Sequence, residues 1–215
     1  MELLDAIMQR RSIRKYNGAK VPREIIEQII QAGTWAPSAC NIQGWRFIVI
    51  DDEMYLKKIV QHGAAGFLES AHQAVLVLYD NRTDNTEYKD HIQSASACIQ
   101  NMLLRAHELQ VGACWVNFLP RKKVLKRLFS IPSFYEPVAL VSIGYFDQTI
   151  NERKRKQDAA ECISYNQYGF TDDPFPVSSR SRLFFRRIAR KIYFMLPSRR
   201  LANKKAGPFE KKFDN

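Results

Sequence analysis

Residues 74–79 (AVLVLY) form an unbroken apolar run closed by Asp80-Asn81. Six such residues are too few for an ordinary helix and enough for a strand. The absence of polar–apolar alternation means that neither face of that strand meets water. The chain around it supplies covering layers. Residues 2–9 read as a short helix with Leu3, Leu4, Ile7 and Met8 on one face. Pro22 suits a first helical turn, and Ile25, Ile26, Ile29 and Ile30 repeat at helical spacing as far as Gly33. Residues 45–50 (WRFIVI) read as a strand and 54–61 as a helix. The longest helix is predicted over 88–110, with Ile92, Ala95, Ile99, Met102, Leu103, Ala106 and Leu109 on one face and Gly112 ending it. A strand at 114–118, a basic-faced helix at 121–129 stopped by Ile131-Pro132, and a strand at 138–146 complete the pattern. Strands alternating with helices predict an α/β or α+β sandwich around a sheet covered on both sides.

A chain of 215 residues, 46% apolar, suffices for one domain with a substantial core plus an appendage. The division expected is a domain over 1–170 and a basic extension over 171–215. Cys40, Cys98, Cys114 and Cys162 form no CxxC pair and lack His at ligand spacing, so four buried, reduced thiols are expected, with no zinc site and no disulfide framework. No stretch approaches the roughly 20 apolar residues of a membrane span, and a cytoplasmic location is expected. Of the net charge of +11, residues 171–215 carry +8, leaving a nearly balanced body. That distribution argues against nucleic acid as the first reading, although a basic tail suits any anionic partner. Within it, Phe184, Phe185, Ile188, Ala189, Ile192, Met195 and Leu196 project to one helical face, with Arg186, Arg187, Arg190 and Lys191 on the other. Residues 183–196 are therefore expected to form a helix that docks on the body or lies peripherally on an anionic membrane.

Two polar segments carry chemistry. Arg10, Arg11, Ser12 and Arg14 concentrate guanidinium groups and a hydroxyl, which suits a phosphate. The competing reading is a solvated helix end, where cations are favoured electrostatically. Arg153 and Arg155 form a second basic cluster that could converge on the same phosphate. The loop containing Pro37, Ser38, Ala39, Asn41 and Gln43, flanked by Trp35 and Trp45, offers amide groups able to match the edge of a planar heterocycle. Its competing reading is a polar loop with Asx-type turns. GxGxxG and Walker A motifs are absent, and His62, His72, His91 and His107 have no nucleophile at a readable spacing.

Taken in order, RRSIRKY, APSACNIQGW, GACWV and RKRK resemble the nitroreductase-like flavin oxidoreductases over residues 1 to about 170. The resemblance implies an α+β three-layer sandwich, a central mostly antiparallel sheet flanked by helices, and an intertwined homodimer with FMN at the subunit interface. It implies that Arg10, Arg11, Ser12 and Arg14 hold the phosphate, ribityl chain and pyrimidine edge, with Arg153 or Arg155 closing the phosphate end. Pro37, Ser38, Ala39, Asn41 and Gln43 would come from the partner subunit, and backbone around Trp115, Val116 and Asn117 would face the isoalloxazine. The implied activity is ping-pong transfer from NAD(P)H to a nitroaromatic, quinone or similar conjugated acceptor, with no side chain required as an obligatory acid or base. A flavin-binding protein without turnover, tethered through its basic helix, is the alternative. Gly44 stands where the family often has proline, which would loosen the turn, and Asn117 lies where it commonly has glycine.

Overall fold

Burial on both faces is what the central strand shows. In the computed structural model, which describes residues 1–82, 85, 87–149, 158–170, 184, 185 and 188, β2 (Gln73–Asp80) is buried at every residue but Asp80. It pairs antiparallel with β1 (Trp45–Ile50) on one side and β4 (Tyr135–Gly144) on the other, and β4 pairs antiparallel with β3 (Gly112–Val116). The resulting order is β1-β2-β4-β3. Alternate side chains of β2 feed two different cores. Val75, Val77 and Tyr79 pack with Ile26 and Ile29 of α2 (Arg23–Thr34) and with Cys98, Ile99 and Met102 of α4 (Asp90–Glu108). Ala74, Leu76 and Leu78 pack with Leu56, Ile59 and Val60 of α3 (Glu53–Gln61) and Leu125 of α5 (Lys122–Leu128). The sandwich is therefore three layers deep and α+β, with every strand pair antiparallel.

Several boundaries differ from the sequence expectation for identifiable reasons. α4 is closed not by Gly112 but by Gln110, which takes the left-handed conformation at φ 57°. Gly112 instead opens β3, two residues before the predicted start, because a Cβ there would lie 2.7 Å from Phe146 and 2.9 Å from Ile13. Pro137 reads as a strand breaker, yet β4 begins before it, at Tyr135. The proline sits beside a register irregularity opposite Val77/Leu78, where a missing N–H is tolerated. Gly33 does not end α2. It lies inside the helix, where its bare Cα lets α4 approach. Two of the four thiols expected to be buried, Cys40 and Cys162, are exposed, and none of the four is in a disulfide.

At the N-terminus, α1 (Leu3–Gln9) buries only Ala6 and leaves Leu3, Leu4, Ile7 and Met8 exposed. The chain divides into two compact units, Met1–Ile150 and Asn151–Asn215. The expected helix over 183–196 lies largely outside the described residues. Of it, Phe184, Phe185 and Ile188 are helical and exposed. No helix among the described residues is long and apolar enough to cross a membrane.

The α2–α4 contact gives a direct test of this packing. A Cβ on Gly33 would sit 2.7 Å from Met102 Cγ and 2.9 Å from Cys98 Sγ. Overpacking of about 1–3 kcal/mol outweighs the ~1 kcal/mol of helix propensity that alanine adds. Gly33→Ala is thus expected to lower the urea midpoint of unfolding; an unchanged or raised midpoint would contradict the close approach.

Candidate active site

Beyond Gln9 the chain leaves α1 in extended form, with Arg10 at φ −52°, ψ 132°, and runs along the outer edge of β3. Ser12 forms a parallel bridge with Ala113, and the Ile13 N–H donates to the Ala113 carbonyl at 3.0 Å. This short pairing covers an edge that would otherwise expose unpaired backbone groups. It also carries the arginines to one place. Burial pushes the Cys114 thiol up, while the charge of Arg14, the hydroxyl of Ser12 and the charge of Arg10 oppose it. His107, near the end of α4, is held below the ordinary imidazole range by burial and by the charges of Arg10 and Arg11. Ser12 therefore lies on β3, with the charges of Arg10 and Arg14 near enough to act on Cys114, and those of Arg10 and Arg11 near enough to act on the end of α4.

Arg11 serves partly as the competing reading anticipated. Its Nη1 donates to the Met8 carbonyl at 2.6 Å and the Arg10 carbonyl at 3.0 Å, capping the C-terminal end of α1. Its Nε is buried with no hydrogen-bond partner. Arg14 Nη1 lies 3.4 Å from the Ser12 carbonyl. A cradle of guanidinium donors with an unsatisfied buried N–H fits an oxygen-rich anion such as the FMN phosphate.

The amide loop precedes β1. Ser38 Oγ accepts from Gln43 N at 3.1 Å, and Asn41 Oδ1 accepts from Gln43 Nε2 at 2.7 Å. Cys40, Asn41 and Gln43 all have positive φ, at 49°, 55° and 52°. Each costs on the order of 1 kcal/mol, least for Asn, so the shape is imposed by surrounding bonds. One of these is Ala39 N donating to Ser94 Oγ of α4 at 3.1 Å. Gly44 is tightly held, since a Cβ would lie 2.9 Å from Tyr79. Pro37 and Trp35 are exposed, whereas Trp45 turns into the core.

Trp115 and Val116 close β3, followed by Asn117, whose Oδ1 accepts from the Trp115 indole at 2.8 Å. Val116 is buried, Trp115 half-buried and Asn117 exposed. Arg153 and Arg155 lie outside the described residues.

Within the chain the two polar segments lie apart. Trp45 pairs with Tyr79 at one end of β2, while Gln73 at the other end pairs with Ile143, which pairs with Ala113. Three strand spacings across and six residues along place the loop and the arginines roughly 25 Å apart. α4 gives a second ruler: Ala39 is fixed at Ser94 and the arginine charge reaches His107, a separation of about 20 Å along the helix axis.

A family model described as Nitroreductase family matches residues 7–79 and 55–145. The chain belongs to the nitroreductase family. A Methanothermobacter thermautotrophicus protein, provisionally named NADH dehydrogenase/NAD(P)H nitroreductase, is 37% identical over 149 residues, covering 67% of this chain and 78% of that one. An FMN-dependent nitroreductase from Clostridium difficile is 29% identical, with a TM-score of 0.68 over 77% of this chain and 100% of that one. A provisionally assigned nitroreductase from Desulfovibrio desulfuricans, solved in complex with FMN, is 34% identical, with a TM-score of 0.65 over 80% of this chain and 97% of that one.

In this chain the residues that sequence reasoning missed are those that hold the two polar segments in place: Ser94 under the loop, and Tyr16 and Ser142 beneath the arginine segment. Ser94 lies on the apolar stripe of α4, so its role had no local signal; Tyr16 lies inside the RRSIRKY motif itself. The thiols provide a check on the packing. Burial pushes Cys98 up to about 12 and raises Cys114 as well, so neither offers thiolate near neutrality. Iodoacetamide at about pH 8 is expected to alkylate Cys162 in the native protein and to reach Cys98 and Cys114 only after denaturation. Native labelling of either buried thiol would contradict the site's packing.

Proposed function

We propose that this chain is an FMN-dependent oxidoreductase that takes electrons from NAD(P)H and delivers them to a nitroaromatic, quinone or similar conjugated acceptor by a ping-pong cycle. The observation that carries the reading is the guanidinium-and-hydroxyl cradle of Arg10, Ser12 and Arg14 on the edge of β3. Arg10, Arg11, Ser12 and Arg14 would bind the phosphate, the ribityl oxygens and the pyrimidine edge, with the buried Nε of Arg11 a donor still unsatisfied. Backbone at Trp115, Val116 and Asn117 would line the isoalloxazine on the same subunit. When bound, FMN supplies the two-electron chemistry that links nicotinamide to acceptor. No acid or base among these residues is assigned a catalytic role.

The loop containing Pro37, Ser38, Ala39, Asn41 and Gln43 would complete the site from a second copy of the chain. Support comes from its distance from the arginines within one subunit, across the sheet and along α4 alike. A homodimer with two such sites would place both halves around each flavin.

The purified protein is expected to be yellow, with flavin close to equimolar with subunits, and to bleach anaerobically with NADH or NADPH. A colourless protein that takes up no added FMN would rule the reading out, and bound flavin that neither nicotinamide reduces would favour the non-catalytic alternative. Sharing of the site is tested by mixing two flavin-free variants, Arg10→Glu and Ser38→Trp, through unfolding and refolding. Random pairing restores about a quarter of the flavin sites when each is built from two subunits, and none when each is built from one.

A further inference from the structure

We infer that the Tyr16 hydroxyl is the positioning group that holds the arginine segment on β3, and that it thereby sets the preference of this site for a phosphate-bearing flavin over the phosphate-free one. The inference rests on the FMN reading above.

The segment is held at few points. Its backbone pairing with β3 is a single bridge at Ser12, whose hydroxyl also bonds the Cys114 thiol; Gln148 Nε2 donates to the Lys15 carbonyl at a long 3.4 Å, and the next backbone–backbone anchor is Asn17 N donating to the Tyr145 carbonyl at 2.9 Å. Between them the chain must bring the Ile13 carbonyl into a buried setting, since Ile13 is only 5% exposed. Tyr16 satisfies it: the phenol donates to the Ile13 carbonyl at 2.8 Å and lies 2.7 Å from Ser142 Oγ. With the phenol proton committed to Ile13, the serine proton must be the one shared with Tyr16. Ser142 Oγ also lies 3.4 Å from the Cys114 carbonyl, but one hydroxyl proton cannot serve both acceptors, and the shorter contact takes it. The chain of donors thus runs from Ser142 through Tyr16 to Ile13, each bond polarising the next.

The sheet is built to admit this ring. A Cβ on Gly144 would come within 2.7 Å of Tyr16 Cδ1 and 3.1 Å of Cγ, so the ring lies directly on bare backbone of β4. Gly112, its partner in the β3–β4 register, does the same for Ile13. Ser142 is fully buried. Burial also drives the phenol well above its ordinary range, against the opposing bond from Ser142, so Tyr16 keeps its proton as a donor. The charge of Arg14 is near enough to act on the phenol, but the hydroxyl's hydrogen bonds run to Ile13 and Ser142, so Tyr16 acts through the backbone that carries Ser12 and Arg14.

The loss of that bond should fall on the group the arginines hold. Tyr16→Phe keeps the ring on Gly144 and removes only the hydroxyl. Dissociation constants for FMN and for riboflavin, measured on the full chain by quenching of flavin fluorescence, are the readout, with thermal unfolding in parallel. FMN affinity is expected to fall about tenfold while riboflavin affinity changes less than about twofold, collapsing the preference for the phosphate. Ser142→Ala, which leaves the ring and its bond to Ile13 in place, should move the same ratio in the same direction by a smaller factor, and it carries the test if Tyr16→Phe does not fold. An unchanged ratio in a folded variant, or equal losses for both flavins, overturns the inference. Failure of the unsubstituted protein to bind FMN at all overturns the underlying reading instead.

Discussion

Two-sided burial of β2 is the constraint on which the remaining architecture depends. A strand with Val75 and Val77 on one face and Leu76 and Leu78 on the other cannot sit at a surface, so α2 and α4 must cover one side and α3 and α5 the other. Covering both faces leaves the perimeter of the sheet as the place where polar chain can gather. The two polar segments take opposite corners of that perimeter: the amide loop at the start of β1, the arginines along β3.

Much of this was legible in the residues themselves. Among the described residues, apolar runs and helical spacing located the four strands and the five α-helices of the body, because burial imposes a period that local sequence must obey. Boundaries failed where a residue reads as a breaker for one reason and is retained for another. Gly112 and Gly33 are small because Phe146, Ile13, Met102 and Cys98 need the space. Gln110, which ends α4 in the left-handed conformation, carries no mark of it in a single sequence.

The two polar segments were legible as segments, and their placement in the fold was not. Five closely spaced residues with three arginines suit an anion, and the bonds of Arg11 to the end of α1 give the helix-end reading its share. The bond between Tyr16 and Ser142 spans 126 positions, so no pattern within a window could reveal it. Likewise, the separation of loop and arginines follows from strand order, which is a property of the folded sheet and not of any segment.

That separation has a consequence for how such a protein behaves at low abundance. On the proposed shared site, with half of the binding surface at each of two distant corners, a lone chain would hold only a partial grip on its cofactor, and the full grip would appear only after two chains meet. Retention of the cofactor would then scale with encounter frequency, so association and loading would reinforce one another by mass action. A dilute pool would shed its cofactor without any chain having unfolded.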